Sequence, residues 1–177
     1  LSGSIESTGG ECGGVAGSLD PSASVTGCSA AMDINAGKKT GGIVGSSNGG
    51  KIENCVNRGN VSGTYKVGGV VGENWGGTVK KCGNEGNVSS SVRGVATGRS
   101  VAAAAVVSEC YNTGNIKSAA EATGGVVGYM NADGSTLTSS YSTGNITIKK
   151  IKREKALTKA WAGGVAGIAG SKGVIIS

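Results

Sequence analysis

The sequence predicts an all-β fold: a right-handed parallel β-helix (β-solenoid) of roughly five coils, each with about 27–30 residues and three short strands. Three observations predict it. Starts made of Gly-Gly and an aliphatic residue recur along the chain, short runs rich in Val and Ile follow them, and Gly, Asn or Ser bounds each run. Val and Ile favour strands, and no run is long enough for a stable helix. Because one unit cannot bury its own apolar stripe, we expect the units to stack, with the right-handed crossovers usual in parallel sheets.

The glycine starts define the repeat. They are "GGVAG" at 13, "GGIVG" at 41, "GGVVG" at 68, a degenerate "RGVATG" at 93, "GGVVG" at 124 and "GGVAG" at 163. We interpret residues 1–177 as a single solenoid segment of a larger protein. Its coils are predicted at about 13–40, 41–67, 68–92, 93–123 and 124–162, with a partial coil at 163–177.

Alignment of the copies places similar residues in columns, which we expect to stack ~4.8 Å apart. Directly after the Gly-Gly pair, the first column contains Val15, Ile43, Val70, Val95, Val126 and Val165. The second column contains Ala16, Val44, Val71, Ala96, Val127 and Ala166. A later aliphatic column contains Val25, Ile52, Val79, Val107, Leu137 and Val174. An asparagine column contains Asn57, Asn84 and Asn112, and "GN" follows each of them. Asparagine can stack its amides along such a column and tolerates tight turns, so this column is predicted to be structural.

Four of the five cysteines share one column. They are Cys28, Cys55, Cys82 and Cys110, and the column continues with Ser140 and Ser177. One interpretation is a small, buried apolar ladder. The alternative is a set of disulfide bonds between neighbouring coils, because the coil spacing lies within the range of bridged Cα atoms. Cys12 lies outside the column, so an odd thiol remains under either interpretation.

The repeat unit resembles a known bacterial motif. "GGIVGSSNGGKIENCVNRGNV" at 41–61 is similar to the GLUG motif, and "CYNTGNI" at 110–116 and "SYSTGNI" at 140–146 are similar to its second half. The resemblance covers about 13–177 and is lost at 93–106 and 147–162. It implies a large secreted or surface-attached bacterial protein, in some cases an adhesin. Similar repeats also accompany immunoglobulin A1 metallopeptidases.

Catalytic and cofactor motifs are missing from the sequence. "GSSNGGKI" at 45–52 approaches a phosphate-binding P-loop, but Ile52 stands where a magnesium-binding Ser or Thr is needed. The chain has no His and no Cys-x-x-Cys spacing, and its three Asp residues do not align, so no metal site is indicated. We therefore expect no enzyme activity, no cofactor and no metal. No apolar run is long enough to span a membrane.

Most of the positive charge lies in one insertion. The chain has a net charge of +6, of which the segment at 147–162 carries +5 from six cations and Glu154. Because the rest of the chain is nearly neutral, nucleic-acid binding is not expected. The insertion is either a solvated loop or a contact for an acidic partner, such as an anionic glycan or an acidic host-protein surface. The residues of that contact would be Lys149, Lys150, Lys152, Arg153, Lys155 and Lys159.

Two functions are consistent with these patterns. The first is a non-catalytic structural or adhesive repeat segment of a bacterial secreted or cell-surface protein. The alternative is an accessory, non-catalytic region of a secreted immunoglobulin-cleaving metallopeptidase whose catalytic domain lies outside this chain. In either case the expected location is extracellular or the bacterial cell surface. Expected partners are neighbouring domains of the same polypeptide or other copies stacked end to end, because a solenoid without polar caps exposes strand edges.

Overall fold

A computed structural model describes residues 1–91, 104–119, 122–130, 134–149, 162–169 and 175–176. These residues form strands and turns and contain no helix. The strands pair in parallel between successive coils and build a β-solenoid of about five turns, which confirms the predicted fold class. Since the described residues contain no helix, they also contain none that could span a membrane.

The strands are short, as expected from runs of Val and Ile that are interrupted by Gly, Asn and Ser. In chain order they are β1 (Ser2–Glu6), β2 (Cys12–Gly13), β3 (Ala16–Leu19), β4 (Ser24–Thr26), β5 (Ser29–Asn35), β6 (Lys38–Gly41), β7 (Val44–Ser47), β8 (Lys51–Glu53), β9 (Val56–Asn57), β10 (Val61–Gly63), β11 (Tyr65–Gly68), β12 (Val71–Asn74), β13 (Gly77–Lys80), β14 (Gly83–Asn84), β15 (Val88–Ser90), β16 (Ala105–Ser108), β17 (Tyr111–Asn112), β18 (Ile116–Ser118), β19 (Thr123–Gly124), β20 (Val127–Met130), β21 (Thr136–Thr138), β22 (Tyr141–Ser142), β23 (Ile146–Ile148), β24 (Ala162–Gly163), β25 (Ala166–Ala169) and β26 (Ile175–Ile176).

Four parallel sheets run along the solenoid axis. Sheet 1 has the order β2-β6-β11-β19-β24, and sheet 2 has the order β3-β7-β12-β20-β25. Sheet 3 has the order β4-β8-β13-β16-β21-β26. Sheet 4 has the order β22-β17-β14-β9-β5-β10-β15-β18-β23, and β1 also pairs with β5. Sheet 4 therefore contains two rows of strands that are joined through β5.

A complete coil contains five strands rather than the predicted three. The second coil, for example, consists of β6, β7, β8, β9 and β10. The difference arises at two turns. The Gly-Gly pair separates a strand of sheet 1 from a strand of sheet 2, and the "GN" turn separates the two rows of sheet 4. Sequence periodicity does not show how sharply a short apolar run bends at these points.

The predicted columns are interrupted between the copies at 68 and 124. The alignment predicts Val95 and Ala96 as the column members between the copies at 68 and 124, and both lie outside the described residues. In sheet 2, however, Val71 pairs directly with Val127, so the column has no member between them. In sheet 3 the ladder gains a strand at this level, because β13 pairs with β16 and β16 with β21. Near the end of the chain, Leu137 pairs with Ile176 and not with the predicted Val174, which lies outside the described residues.

The core consists of small aliphatic side chains and thiols. One cluster of buried residues contains Ile43, Val44, Ile52, Cys55 and their counterparts in other coils. A separate cluster contains Val61, Val67 and Val88. The chain has no Phe, so close packing of Val and Ile columns takes the place of aromatic burial.

At three of the starts, the second glycine is required by a buried asparagine. A Cβ added at Gly42 would lie 2.3 Å from Cγ of Asn57, and a Cβ at Gly69 would lie 2.1 Å from Cγ of Asn84. Gly125 has the same relation to Asn112. The glycine start and the asparagine column of the sequence are therefore two sides of one contact, which brings the Gly-Gly turn against sheet 4.

Candidate functional site

The asparagine column forms a buried hydrogen-bonded ladder, the inner ladder, made of Asn57, Asn84, Asn112 and Ser142. Asn57 donates from Nδ2 to Oδ1 of Asn84 at 2.8 Å, and Asn84 donates to Oδ1 of Asn112 at 2.7 Å. Asn112 then donates to the hydroxyl of Ser142. Each amide also donates to the carbonyl of the glycine two residues later. The three asparagines are fully buried, so the inner ladder has a structural role and offers no surface to a ligand.

A second ladder, the outer ladder, lies three residues further on and is exposed. It consists of Asp33, Asn60, Asn87, Asn115 and Asn145. Asn60 donates from its backbone and side-chain nitrogens to Oδ1 of Asp33, and Asn87 does the same to Oδ1 of Asn60. The outer ladder therefore fixes a row of amide groups at one-coil intervals on the surface of sheet 4.

A shallow groove of about 380 Å³ runs beside the first part of the outer ladder. It crosses β1, β5, β10 and β15, so its length lies along the solenoid axis. The polar residues that line it are Ser4, Glu6, Asp33, Asn35, Asn60, Ser62, Asn87 and Ser89. No lysine or arginine is among the lining residues. In this groove, ordered polar side chains surround a volume open to solvent.

The cysteine column lies at a corner between sheets 3 and 4. In the described residues all five cysteines are free thiols; Cys28 is half-buried, and Cys55, Cys82 and Cys110 are buried. Burial raises the pKa of Cys110 to about 11. The hydrogen bond between the side chains of Cys55 and Cys82 lowers the pKa of Cys55 to about 6. The same hydrogen bond, together with burial, raises the pKa of Cys82. The arrangement is a ladder of thiols within the core, and burial limits the access of reagents to all of its members except Cys28.

A chain of alternating charges, the buried charge chain, joins sheets 1 and 2. It consists of Glu11, Lys39, Glu73 and Lys66. Lys39 lies 2.8 Å from Glu11 and 3.0 Å from Glu73, and Lys66 contacts the other oxygen of Glu73. Although burial opposes the charge of Lys39, its hydrogen bonds to both carboxylates outweigh this effect and raise its pKa. Because Glu73 is fully buried, these lysines neutralise a charge that would otherwise be strongly destabilising.

Aromatic rings cover the inner end of the buried charge chain. The ammonium of Lys66 lies 4.5 Å from the ring centre of Tyr129, 5.3 Å from that of Trp75 and 5.9 Å from that of Tyr65. Cation–π attraction holds the ammonium against these rings. Lys66 is buried and its charge is satisfied by Glu73 and the rings, so the group stabilises the fold.

Sequence reasoning missed the buried charge chain. A signal was present, because Lys39 and Lys66 both stand two residues before a Gly-Gly pair and Glu73 follows the second pair closely. Columns of charged residues are normally assigned to the surface, and nothing in a single sequence shows that this one is covered.

Charges on the outside of sheet 4 follow the predicted alignment more closely. Arg58 and Glu85, which occupy equivalent positions in neighbouring coils of the sequence alignment, form an ion pair at 3.1 Å. Tyr111 donates from its hydroxyl to Glu85 at 2.9 Å, and its ring stacks on Tyr141 with centres 6.0 Å apart. This face is stabilised by contacts between coils, and the pairs there already satisfy one another.

The predicted basic contact is described only at its first residue. Lys149 is exposed, and its backbone nitrogen donates to the carbonyl of Ser118 just after β23. Lys150, Lys152, Arg153, Lys155 and Lys159 lie outside the described residues. The contact with an acidic partner therefore stays a prediction. Among the described residues no group of three or more Cys, Asp or Glu side chains is arranged to hold a metal ion.

The family profile of the GLUG motif matches residues 63–89. The chain contains a GLUG motif. In the structure this motif is one coil of the solenoid, because it runs from the end of β10 through β11, β12, β13 and β14 into β15. It supplies Asn84 to the inner ladder, Asn87 to the outer ladder and Cys82 to the thiol column. No curated protein and no solved structure matches the chain.

Proposed function

We propose that this chain is a non-catalytic structural and adhesive repeat segment of a bacterial protein that is secreted or displayed at the cell surface. The observation that carries the proposal is the outer ladder with its groove. Successive coils, one of which is the GLUG motif, present ordered polar side chains to solvent at a constant spacing. An extended surface of this kind is what solenoid proteins use to bind partners.

The distribution of titratable groups supports a scaffold rather than a catalyst. Glu73, Lys66 and Lys39 satisfy one another in the buried charge chain, and Glu85 pairs with Arg58 and Tyr111. General acid–base catalysis needs such groups to converge on a substrate-sized space. The described groove instead has amides and hydroxyls as its main lining groups, with Glu6 and Asp33 near its start.

Bead adhesion tests the proposal. Beads coated with the folded chain are expected to be retained on bacterial or epithelial cell layers under flow. Beads coated with the same amount of Val71→Asp chain, in which the core is broken, are expected to wash away. Equal retention of the two coatings would show that the folded surface has no adhesive role.

A further inference from the structure

The groove on sheet 4 has donors and acceptors that are held in place before any ligand arrives. Asn60 and Asn87 are each fixed by two hydrogen bonds to the preceding member of the outer ladder. Ser62 donates to Oδ1 of Asn35 at 3.0 Å, which fixes a second row of polar groups beside the first. Since these side chains are already ordered, binding would cost little conformational entropy.

These groups retain hydrogen-bonding capacity. A side-chain amide has two N–H donors, and Nδ2 of Asn60 and of Asn87 each makes one hydrogen bond within the described structure. The hydroxyl of Ser62 donates to Asn35 and keeps lone pairs that can accept. Asp33 uses Oδ1 for Asn60, which leaves its second oxygen available as an acceptor. The groove therefore offers both donors and acceptors, as a hydroxyl-rich ligand requires.

The negative charge of the groove disfavours polyanions as ligands. Its charged lining residues are Glu6 and Asp33, both exposed and both negative. A polyanion would be repelled by these two carboxylates, and the lining has no cation to offset them, since Lys117 lies in the next coil beyond Ser89. A neutral polymer meets no such penalty, and its hydroxyl groups can donate to the two carboxylates.

The repeat of the groove matches the repeat of a sugar chain. Equivalent residues recur once per coil, because Ser62 pairs with Asn35 on one side and with Ser89 on the other. The coil spacing of ~4.8 Å is close to the length of one pyranose unit in an extended glycan. A glycan that lies along the axis can therefore repeat the same contacts in successive coils.

We propose that this groove binds a neutral polysaccharide chain lying parallel to the solenoid axis, with Asn60, Asn87, Ser62 and Ser89 as its hydrogen-bonding residues. The inference rests on the proposed adhesive function and names the ligand class for it. If the bead experiment succeeds and the glycan experiment fails, adhesion uses another ligand. If the bead experiment also fails, the adhesive function itself is wrong.

Affinity electrophoresis of the full chain tests the inference. Native gels contain dextran, galactomannan, a β-1,3-glucan, the polyanion alginate or no polymer. At least one neutral polymer is expected to retard the chain. The double variant Ser62→Lys and Ser89→Lys is expected to bind that polymer at least about tenfold more weakly, because lysine side chains fill the groove and remove two hydroxyl contacts. Lysine is compatible with this column, since Lys117 pairs directly with Ser89 in the next coil.

A matched control adds the same charge elsewhere. Ser18 and Ser22 are exposed and lie outside the groove, so the double variant Ser18→Lys and Ser22→Lys should be retarded as strongly as the unaltered chain. Thermal melting of both variants checks that they fold. Absence of retardation by all three neutral polymers would overturn the proposal. Retardation by alginate alone, or equal loss of binding in both double variants, would overturn it as well.

Discussion

The inner and outer ladders are built mainly from asparagine, lie three residues apart and run in opposite directions. In the inner ladder each amide donates toward the following coil, as Asn57 does to Asn84. In the outer ladder each amide donates toward the preceding coil, as Asn87 does to Asn60. The ends differ too. The outer ladder begins at the carboxylate of Asp33, which accepts hydrogen bonds from both nitrogens of Asn60. The inner ladder begins at Asn57, whose Oδ1 is buried without a partner in the described structure.

The difference in burial predicts different roles for the two ladders, one in stability and the other in ligand binding. A buried amide that loses its partner retains an unsatisfied polar group, which costs about 1–3 kcal/mol. An exposed amide exchanges a lost partner for water at little cost. The inner ladder is therefore expected to hold the coils together, and the outer ladder is available for a ligand although its sequence signature is nearly the same.

The largest effect is expected from a change that leaves both ladders chemically intact and breaks the core beside them. Val71 is fully buried and pairs with Val44 and Val127. Val71→Asp places an unpaired charge there and should remove more than about 4 kcal/mol of unfolding free energy. Far-ultraviolet circular dichroism should show loss of the β signal. An unchanged melting curve would contradict the paired columns.

A smaller but still large effect is expected at the turn that joins the two ladders. Gly86 stands between Asn84 and Asn87, and a Cβ added to it would lie 1.9 Å from the carbonyl oxygen of Gly59. Gly86→Ala should therefore disturb both ladders and cost about 3 kcal/mol, measured by urea unfolding. Gly10 has no atom within 4 Å of such a Cβ, so Gly10→Ala is the control and should be nearly neutral. Similar midpoints for the two variants would mean that the coils are not packed this closely.

Much of this architecture could be predicted from the sequence, since stacking in register follows directly from repeated residues. The interval between copies identifies Asn57, Asn84 and Asn112 as neighbours without any structure. The outer ladder carries the same signal in the "GN" of each turn, but a repeat does not show which of two asparagines is buried. The burial of the inner asparagine depends on Gly42 and its equivalents, which leave room for its amide. In the sequence these glycines indicate only a turn.

Other features depend on chain geometry that a repeat pattern does not contain. The direct pairing of Val71 with Val127 reflects a coil that adds a strand to sheet 3 and none between these two residues in sheet 2. Glu73 is buried opposite Tyr129 in the next strand of sheet 2, and these two residues are distant in sequence. The groove, in contrast, does follow the repeat, because β1 continues the row of β5, β10 and β15 and Ile5 pairs with Ile34 as Ile34 pairs with Val61.

Extension of the inner ladder should stabilise the protein moderately. Ala30 pairs with Asn57 and is fully buried, so Ala30→Asn places a donor beside the unpartnered Oδ1 of Asn57. Satisfying this acceptor should add about 1 kcal/mol and raise Tm by about 2–4 °C. The control is Ala31→Asn on the exposed side of the strand, which should leave Tm unchanged. A lower Tm for Ala30→Asn would show that the ladder cannot continue into this coil.

The smallest effect is expected at the start of the outer ladder. Asp33→Ala removes the acceptor for both nitrogens of Asn60, but all of these groups are exposed. The loss should be at most about 1 kcal/mol by urea unfolding, because water replaces the lost partner. A loss as large as that of Gly86→Ala would mean that the outer ladder is a principal source of stability.

The most direct test of the difference between the ladders compares Asn84→Ala with Asn87→Ala in urea unfolding. Asn84 accepts from Asn57 and donates to Gly86 and Asn112, all in the buried core, so its loss should cost about 2–4 kcal/mol. Asn87 makes the corresponding bonds at the surface, and its loss should cost less than about 1 kcal/mol. A clear excess for Asn84→Ala would support the separation of a structural inner ladder from a ligand-accessible outer ladder. Equal losses, or a larger loss for Asn87→Ala, would contradict it.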